Sequence, residues 1–366
     1  MACANDFLDS VCYSSAMAIR FYKPALYRKD MDAVLQTMVD ERIGPGERKK
    51  EFLKAMAAFL GKKDGIALRS YIDAIVGSLT ALGIGDGDSV LISVLSPLVY
   101  LEAFRRMGVE AVLVDTDQNG LLSVDKALSK LQDRTKAVLY FEPVCQVPVS
   151  FDEVRNLGLP VIEDVSQSLG SVYGDREDKQ GEFYYAGLGG DITISSMEEE
   201  GIISTGGGAV AVTSNLELAD KLKRWAGHGD GYLDLADMNA ALGIVQLAKI
   251  DTLLARRSSI YQLYQQAQRK SDTKLFGSAS PLFTANGWGF SVIANSRPDD
   301  TIEFAAKHGV SCQRTFTHSV GLRYQDRYDL YPVATAFISR ALSFPLYPFL
   351  SKADLESVQR VISHLV

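Results

Sequence analysis

The sequence predicts an α/β protein: a large domain with a mostly parallel, mixed sheet flanked by helices, then a smaller C-terminal α+β domain. Two observations carry this expectation. Short apolar runs ending near Leu68, Leu95, Val114, Tyr140 and Glu163 alternate with helical stretches, the pattern of strands joined by crossover helices. A long helical stretch then leads into a C-terminal part where isolated strands and helices follow a different rhythm.

Along the chain, Lys29 to Glu41 reads as a first helix. After the Gly44-Pro45-Gly46 break, Phe52, Ala55, Met56, Phe59 and Leu60 recur at helical spacing. The helices between the apolar runs are expected at Asp73–Leu82, Leu98–Met107, Val124–Leu131 and Phe151–Leu157. A glycine-rich stretch, Gly187 to Gly208, interrupts the alternation before a strand at Ala209–Thr213 and a helix at Leu216–Ala226. From Asp237 to about Gln268 one long helix is expected, with Ala241, Ile244, Leu247 and Ile250 on one face. Phe290–Ala294 reads as a strand, Asp300–Lys307 as a helix and Lys352–Leu365 as the closing helix. The domains are expected to span 1–250 and 251–366.

Composition narrows the function. A 366-residue chain with 47% hydrophobic and 23% charged residues is an ordinary globular protein. Its net charge of −7 argues against a nucleic-acid surface, which needs clustered Lys and Arg. The basic cluster Arg48, Lys49, Lys50 is read as a solvated helix face. No apolar run is long enough to span a membrane, and the first residues, with Asp6 and Asp9, lack signal-peptide character. The cysteines (Cys3, Cys12, Cys145, Cys312) and histidines (His228, His308, His318, His364) show no ligand spacing, so no metal is expected. A reduced, cytoplasmic protein with free thiols is the expectation.

Specific motifs appear in order along nearly the whole chain. They are ALGIGDGDSVLIS (81–93), RMGVEAVLVDTD (106–117), VIEDVSQSLGSVYGDR (161–176), GGGAVAVTSNLELADKLKRWAGHG (206–229), NAALGIVQLAKIDTLLARR (239–257) and LSFPLYPFLSKADLESV (342–358). Together these stretches resemble the DegT/DnrJ/EryC1/StrS sugar aminotransferases. The resemblance implies the type I aminotransferase fold, pyridoxal phosphate (PLP) chemistry on nucleotide-linked keto-sugars, and an active site between two subunits.

That chemistry needs a lysine imine, a carboxylate on the pyridine nitrogen, and N–H and hydroxyl donors for the phosphate. The resemblance assigns the carboxylate to Asp164, a glutamine beside cofactor and substrate to Gln167, and a phosphate contact to Ser195. It places the imine lysine at position 200, where this chain has Glu200 within Met197-Glu198-Glu199-Glu200-Gly201. The only lysine between Lys136 and Lys221 is Lys179, in a different loop. The family's phosphate-gripping S-G-T turn matches Ser70-Tyr71-Ile72, which lacks both the glycine and the threonine hydroxyl. The ring-stacking aromatic matches Pro97, the nearby threonine Tyr100, and the Asn and Arg reaching across the dimer match Tyr232 and Asp234.

Three readings follow from these substitutions. One is a degenerate homologue without a covalent PLP aldimine, acting as a binding or regulatory subunit. A second is an enzyme of altered mechanism with Glu200 as base, PLP or pyridoxamine phosphate (PMP) being held non-covalently, or with no cofactor. The third is an ordinary sugar aminotransferase whose imine lysine lies at a position other than 200. A homodimer, or a heterodimer with an active paralogue, is expected, with a nucleotide sugar as a candidate ligand and neither nucleic acid nor membrane as a partner.

Overall fold

The computed structural model describes residues 19–175, 183–229 and 231–365. Cys3, Cys12, Asp6, Asp9 and Lys179 lie outside the described residues. After α1 (Arg28–Val39) and α2 (Glu47–Phe59), the chain runs β1 (Asp64–Leu68), α3 (Tyr71–Ala81), β2 (Ser89–Ser93), α4 (Val99–Met107), β3 (Glu110–Val114) and α5 (Val124–Leu128). It continues through β4 (Thr135–Phe141), α6 (Asp152–Arg155), β5 (Val161–Asp164), the short β6 (Val172–Tyr173) and β7 (Tyr184–Tyr185), then β8 (Ile192–Ser196), β9 (Ala209–Thr213) and α7 (Leu216–Gly227).

Seven of these strands form one sheet in the order β1-β9-β8-β5-β4-β2-β3. From β3 to β8 every pairing is parallel, while β9 runs antiparallel to both of its neighbours. The interior strands are aliphatic on both faces, and β2 and β9 are buried at every position. That is what a sheet covered by helices on both sides requires. Parallel strands end together, so Asp164, Ser196 and the turns after β1 and β2 converge at one edge, where such sheets collect ligands.

The long helix expected over 237–268 is two helices. These are α8 (Asp237–Leu247) and α9 (Ile250–Gln268), bent by 64°. Lys249 leaves the helical region (φ −119°, ψ 16°). Its ammonium reaches the fully buried Asp30 of α1 at 2.6 Å. Apolar spacing continues across the break because each helix buries a face, so periodicity alone cannot register the bend. No single described helix is long and apolar enough to cross a membrane, and α8 and α9 reach that apolarity only as a bent pair.

Beyond α9 come β10 (Lys274–Leu275), β11 (Phe283–Thr284), β12 (Phe290–Ile293), α10 (Pro298–Lys307), β13 (Gln313–Arg314), α11 (Pro332–Arg340), β14 (Ala341–Phe344) and α12 (Lys352–Ser363). An antiparallel sheet in the order β10-β12-β14-β13 has its own core with α9 and α12, built from Ile260, Tyr264, Phe290, Leu342 and Val358. Part of this region returns to the large sheet. Phe316, Val320, Phe337 and Ile338 join the core beneath α3 and α4. That return carries Thr315–Ser319 to the convergent strand ends, and Pro97 and Ser319 form a β-bridge there.

Candidate functional site

Asp164 ends β5 and is fully buried. Its Oδ1 accepts hydrogen bonds from the Ser166 N–H at 2.9 Å and the Ser166 hydroxyl at 2.5 Å. Its Oδ2 accepts from the hydroxyls of both Tyr71 and Tyr100. A carboxylate has about four lone-pair sites, and all of them have a donor here. Burial nevertheless raises the Asp164 pKa above the ordinary carboxylate value, against the lowering by Ser166, Tyr100 and Tyr71. Burial, and then the Asp164 charge, push both phenols well above the usual tyrosine range.

Local sequence aims these two phenols. Ser70 caps α3 by accepting the Asp73 N–H at 3.1 Å, which makes Tyr71 the first helical residue. Tyr71 keeps some exposed surface, but its hydroxyl end is enclosed against Asp164. Tyr100 lies in the first turn of α4, fully buried. The tyrosine rings meet edge to face with centroids 6.3 Å apart, and Phe141 packs edge-on against Tyr100 at 6.4 Å.

Phe141 also borders a cavity of about 260 Å³. Gln167, Pro97 and Glu200 face it from the large sheet, and Gln313, Thr315 and His318 from the returning segment. Tyr22 and Trp288 close it. The Gln167 Oε1 accepts the Val144 N–H at 2.9 Å, and its carbonyl accepts the Cys145 N–H at 3.2 Å. Val144 and Cys145 sit consecutively at φ 45° and 70°, a left-handed turn that a β-branched residue adopts only under constraint. Gln167 fastens that turn from both of its amide groups.

Glu200 is exposed at the cavity mouth. Partial desolvation raises its pKa, His318 lowers it and Glu199 raises it. The Tyr22 hydroxyl donates to the Glu199 carbonyl, so the chain just before α1 is fastened to the glutamate loop. Burial pushes the Tyr22 phenol up to about 12, with Arg257 opposing the shift. A hydroxyl row backs the wall: Thr315 to Ser343 at 2.8 Å and Ser343 to Ser291 at 2.6 Å.

Sequence reasoning singled out Gln167, Pro97 and Glu200, and the structure brings these three to one cavity. Asp164, Tyr71 and Tyr100 form a closed hydrogen-bonded cluster behind Phe141. The other candidates do not line the cavity. Ser195 is buried within β8, and its hydroxyl donates to the Ser196 carbonyl at 3.4 Å. Ser70 serves as a helix cap, and Ile72 packs against the core. Tyr232 is 80% exposed, and Asp234 pairs with Lys49 at 2.5 Å. Tyr22, Trp288, Gln313, Thr315 and His318 carried no local motif. Only the return of the C-terminal segment to the sheet makes them part of the site.

Residues 24–365 match the DegT/DnrJ/EryC1/StrS aminotransferase family. The chain belongs to that family. It is 26% identical to the spore coat polysaccharide biosynthesis protein SpsC of Bacillus subtilis (strain 168), over 94% of this chain and 96% of SpsC. Among solved structures, the aminotransferase TlmJ of Streptoalloteichus hindustanus superimposes with a TM-score of 0.84 at 24% identity, covering 94% of this chain and 98% of TlmJ. The PLP form of Spr1654 of Streptococcus pneumoniae gives 0.85 at 19% identity, covering 94% and 97%. These neighbours establish the type I aminotransferase fold.

Some family members carry PLP or PMP, as the named forms of Spr1654 do. The residues of this chain do not fit that group. The carboxylate that the family pattern assigns to the pyridine nitrogen already has a donor at each acceptor position. The donors on Oδ2 are Tyr71, which the resemblance matches to the glycine of the family's phosphate turn, and Tyr100, which it matches to the threonine near the ring-stacking aromatic. Glu200 stands where the resemblance places the imine lysine, and a carboxylate cannot form an imine.

Proposed function

We propose that this protein is a non-transaminating family member acting in nucleotide-sugar or polysaccharide biosynthesis, as a binding or regulatory homologue without a PLP aldimine. One observation carries the reading: Asp164 is saturated by Tyr71, Tyr100 and Ser166, which leaves no acceptor for a pyridine ring. Glu200 in place of the lysine supports it independently, because it would be lost chemistry even in an open pocket. The biosynthetic setting comes from the likeness to SpsC. The cavity bordered by Gln167, Gln313 and Glu200 is where a ligand would be held.

A second reading keeps an enzyme with Glu200 as general base, either PMP-dependent in the manner of a sugar dehydratase or cofactor-free. Its support is the position of Glu200 at the cavity mouth with a raised pKa, opposite His318. The PMP version ranks below the first reading because the tyrosine cluster also argues against a non-covalent pyridine ring. The ordinary aminotransferase ranks last for want of a lysine.

The protein is also proposed to pair with a second copy, or with an active paralogue. The support is an apolar face on α1, where Met31, Leu35, Met38 and Val39 are each more than half exposed.

The test is PLP and PMP uptake by purified protein. The first reading expects no absorbance near about 410–430 nm and no retained coenzyme by mass spectrometry. An aldimine band would restore the ordinary aminotransferase. Retained PMP without that band would select the dehydratase-like enzyme.

A further inference from the structure

The basic cluster singled out in the sequence opens onto a second cleft, at the far end of β1 from Ser70 and Tyr71. Five of the chain's eighteen lysines border it: Lys49, Lys50 and Lys54 of α2, Lys63 before β1, and Lys223 of α7. The cleft measures about 490 Å³, within the common range for small-molecule sites. Its floor is apolar, formed by Leu53, Ala57, Ile66 and Ala226.

The charge balance is uneven. Two carboxylates line the cleft, Asp64 and Asp234, and each is already paired, with Lys223 and with Lys49. Lys50 pairs with Glu47 along the helix at 2.7 Å. Lys54 and Lys63 are exposed and have no carboxylate partner among the described residues. In a chain of net charge −7, five ammonium groups against Asp64, Asp234 and Glu47 leave two cations unpaired and make this a local positive basin. Lysines do guard sheet edges, and β1 is an edge strand. That accounts for Lys63 but not for the four lysines carried by α2 and α7.

We infer that this cleft binds a nucleoside di- or triphosphate, with the lysines around the phosphates and the base on the floor of Leu53, Ile66 and Ala226. Point-charge ammonium groups suit a multiply charged phosphate chain, and the apolar floor suits a heteroaromatic ring. Gly227 and Gly231 leave the wall open, since a Cβ on either would meet nothing within 4 Å. The inference does not rest on the function proposed above, because the cleft shares no lining residue with the cavity beside Glu200.

The experiment is calorimetric titration of the intact protein with ADP, UDP and inorganic tripolyphosphate at low and moderate salt. ADP or UDP should bind, more weakly as salt rises, and more tightly than tripolyphosphate. The double variant Lys54→Glu/Lys63→Glu should weaken nucleotide binding by roughly tenfold or more. The control Lys136→Glu/Lys352→Glu makes the same charge change elsewhere and should leave binding unchanged. Circular dichroism checks that both variants fold. The inference is overturned if no heat appears at about 1 mM nucleotide, if both variants lose binding equally, or if tripolyphosphate binds as tightly as ADP. Tighter binding of a single-stranded oligonucleotide than of either nucleotide would also overturn it.

Discussion

Tyr71 donates its hydroxyl to Oδ2 of Asp164, joining the first turn of α3 to the end of β5 at the point where the sheet converges. The bond holds one half of the carboxylate together with Tyr100, while Ser166 holds the other half. A buried ionised carboxylate is costly unless its lone pairs are met, so the tyrosines serve as structural donors whatever else the site does.

Removing those donors should therefore destabilise the protein without emptying the core. Tyr100→Phe keeps the ring and its contact with Phe141 but strips one hydrogen bond from a fully buried acid. The expected loss is about 1–3 kcal/mol in urea unfolding, with Tyr71→Phe costing a similar amount. The penalty should shrink as pH falls, because a protonated Asp164 needs fewer donors. An unchanged midpoint in both variants would mean that water replaces the phenols freely.

On the proposed reading, placing a lysine at position 200 should not by itself bring back an aldimine. Glu200→Lys supplies an amine, but Tyr71 and Tyr100 still occupy Asp164 and Ile72 still offers no hydroxyl. Purified Glu200→Lys should show no aldimine band after soaking with PLP. Adding Tyr71→Gly, Ile72→Thr and Tyr100→Thr should bring coenzyme uptake within reach of mass spectrometry. A band in the single variant would contradict the role given to the tyrosines.

The large sheet was legible in the sequence because each strand is a short apolar run bounded by helical periodicity, as at Ser89–Ser93 and Ala209–Thr213. The break at Lys249 was not, since a buried ion pair to Asp30 leaves no mark on the apolar spacing. At the site, the odd residues Tyr71 and Glu200 stood out only against the family pattern. That Tyr71 and Tyr100 share one carboxylate depends on α3 and α4 lying side by side, which needs coordinates. His318 and Gln313 were invisible for a related reason: topology, not local sequence, brings them to the strand ends.

A neighbouring buried acid makes stability depend on pH. Glu142 is fully buried and accepts from Ser168, and its Oε1 has no hydrogen-bond partner among the described residues. Burial first, and then the nearby Glu163, push its pKa well above the ordinary value. The folded state thus keeps a proton that the unfolded chain releases, so this group's contribution is present below the unfolded carboxyl pKa and lost as pH rises through the folded one. Glu142→Gln removes that dependence, and its amide can still accept from Ser168. The variant should match the parent near pH 4 and exceed it near pH 8, the gap opening as the folded-state carboxyl is forced to ionise. Equal stability at both pH values would mean that Glu142 ionises normally.

The last expectation concerns association. On α1, Met31, Leu35 and Met38 fall one and two turns apart and are 59%, 59% and 53% exposed. The opposite face of the helix is anchored, with Asp30 and Thr37 fully buried. An apolar stripe left on an anchored helix is suited to burial against a second chain, at about 25 cal/mol for each Å² removed from water. Light scattering should give about twice the 40.0 kDa of the chain. Met31→Asp/Leu35→Asp would bury two charges at that contact and should return the mass to a single chain with its circular dichroism unchanged, because neither side chain supports the fold from within. A parent protein that is already a single chain in solution would remove the proposed pairing, and a variant that stays paired would place the contact on another face.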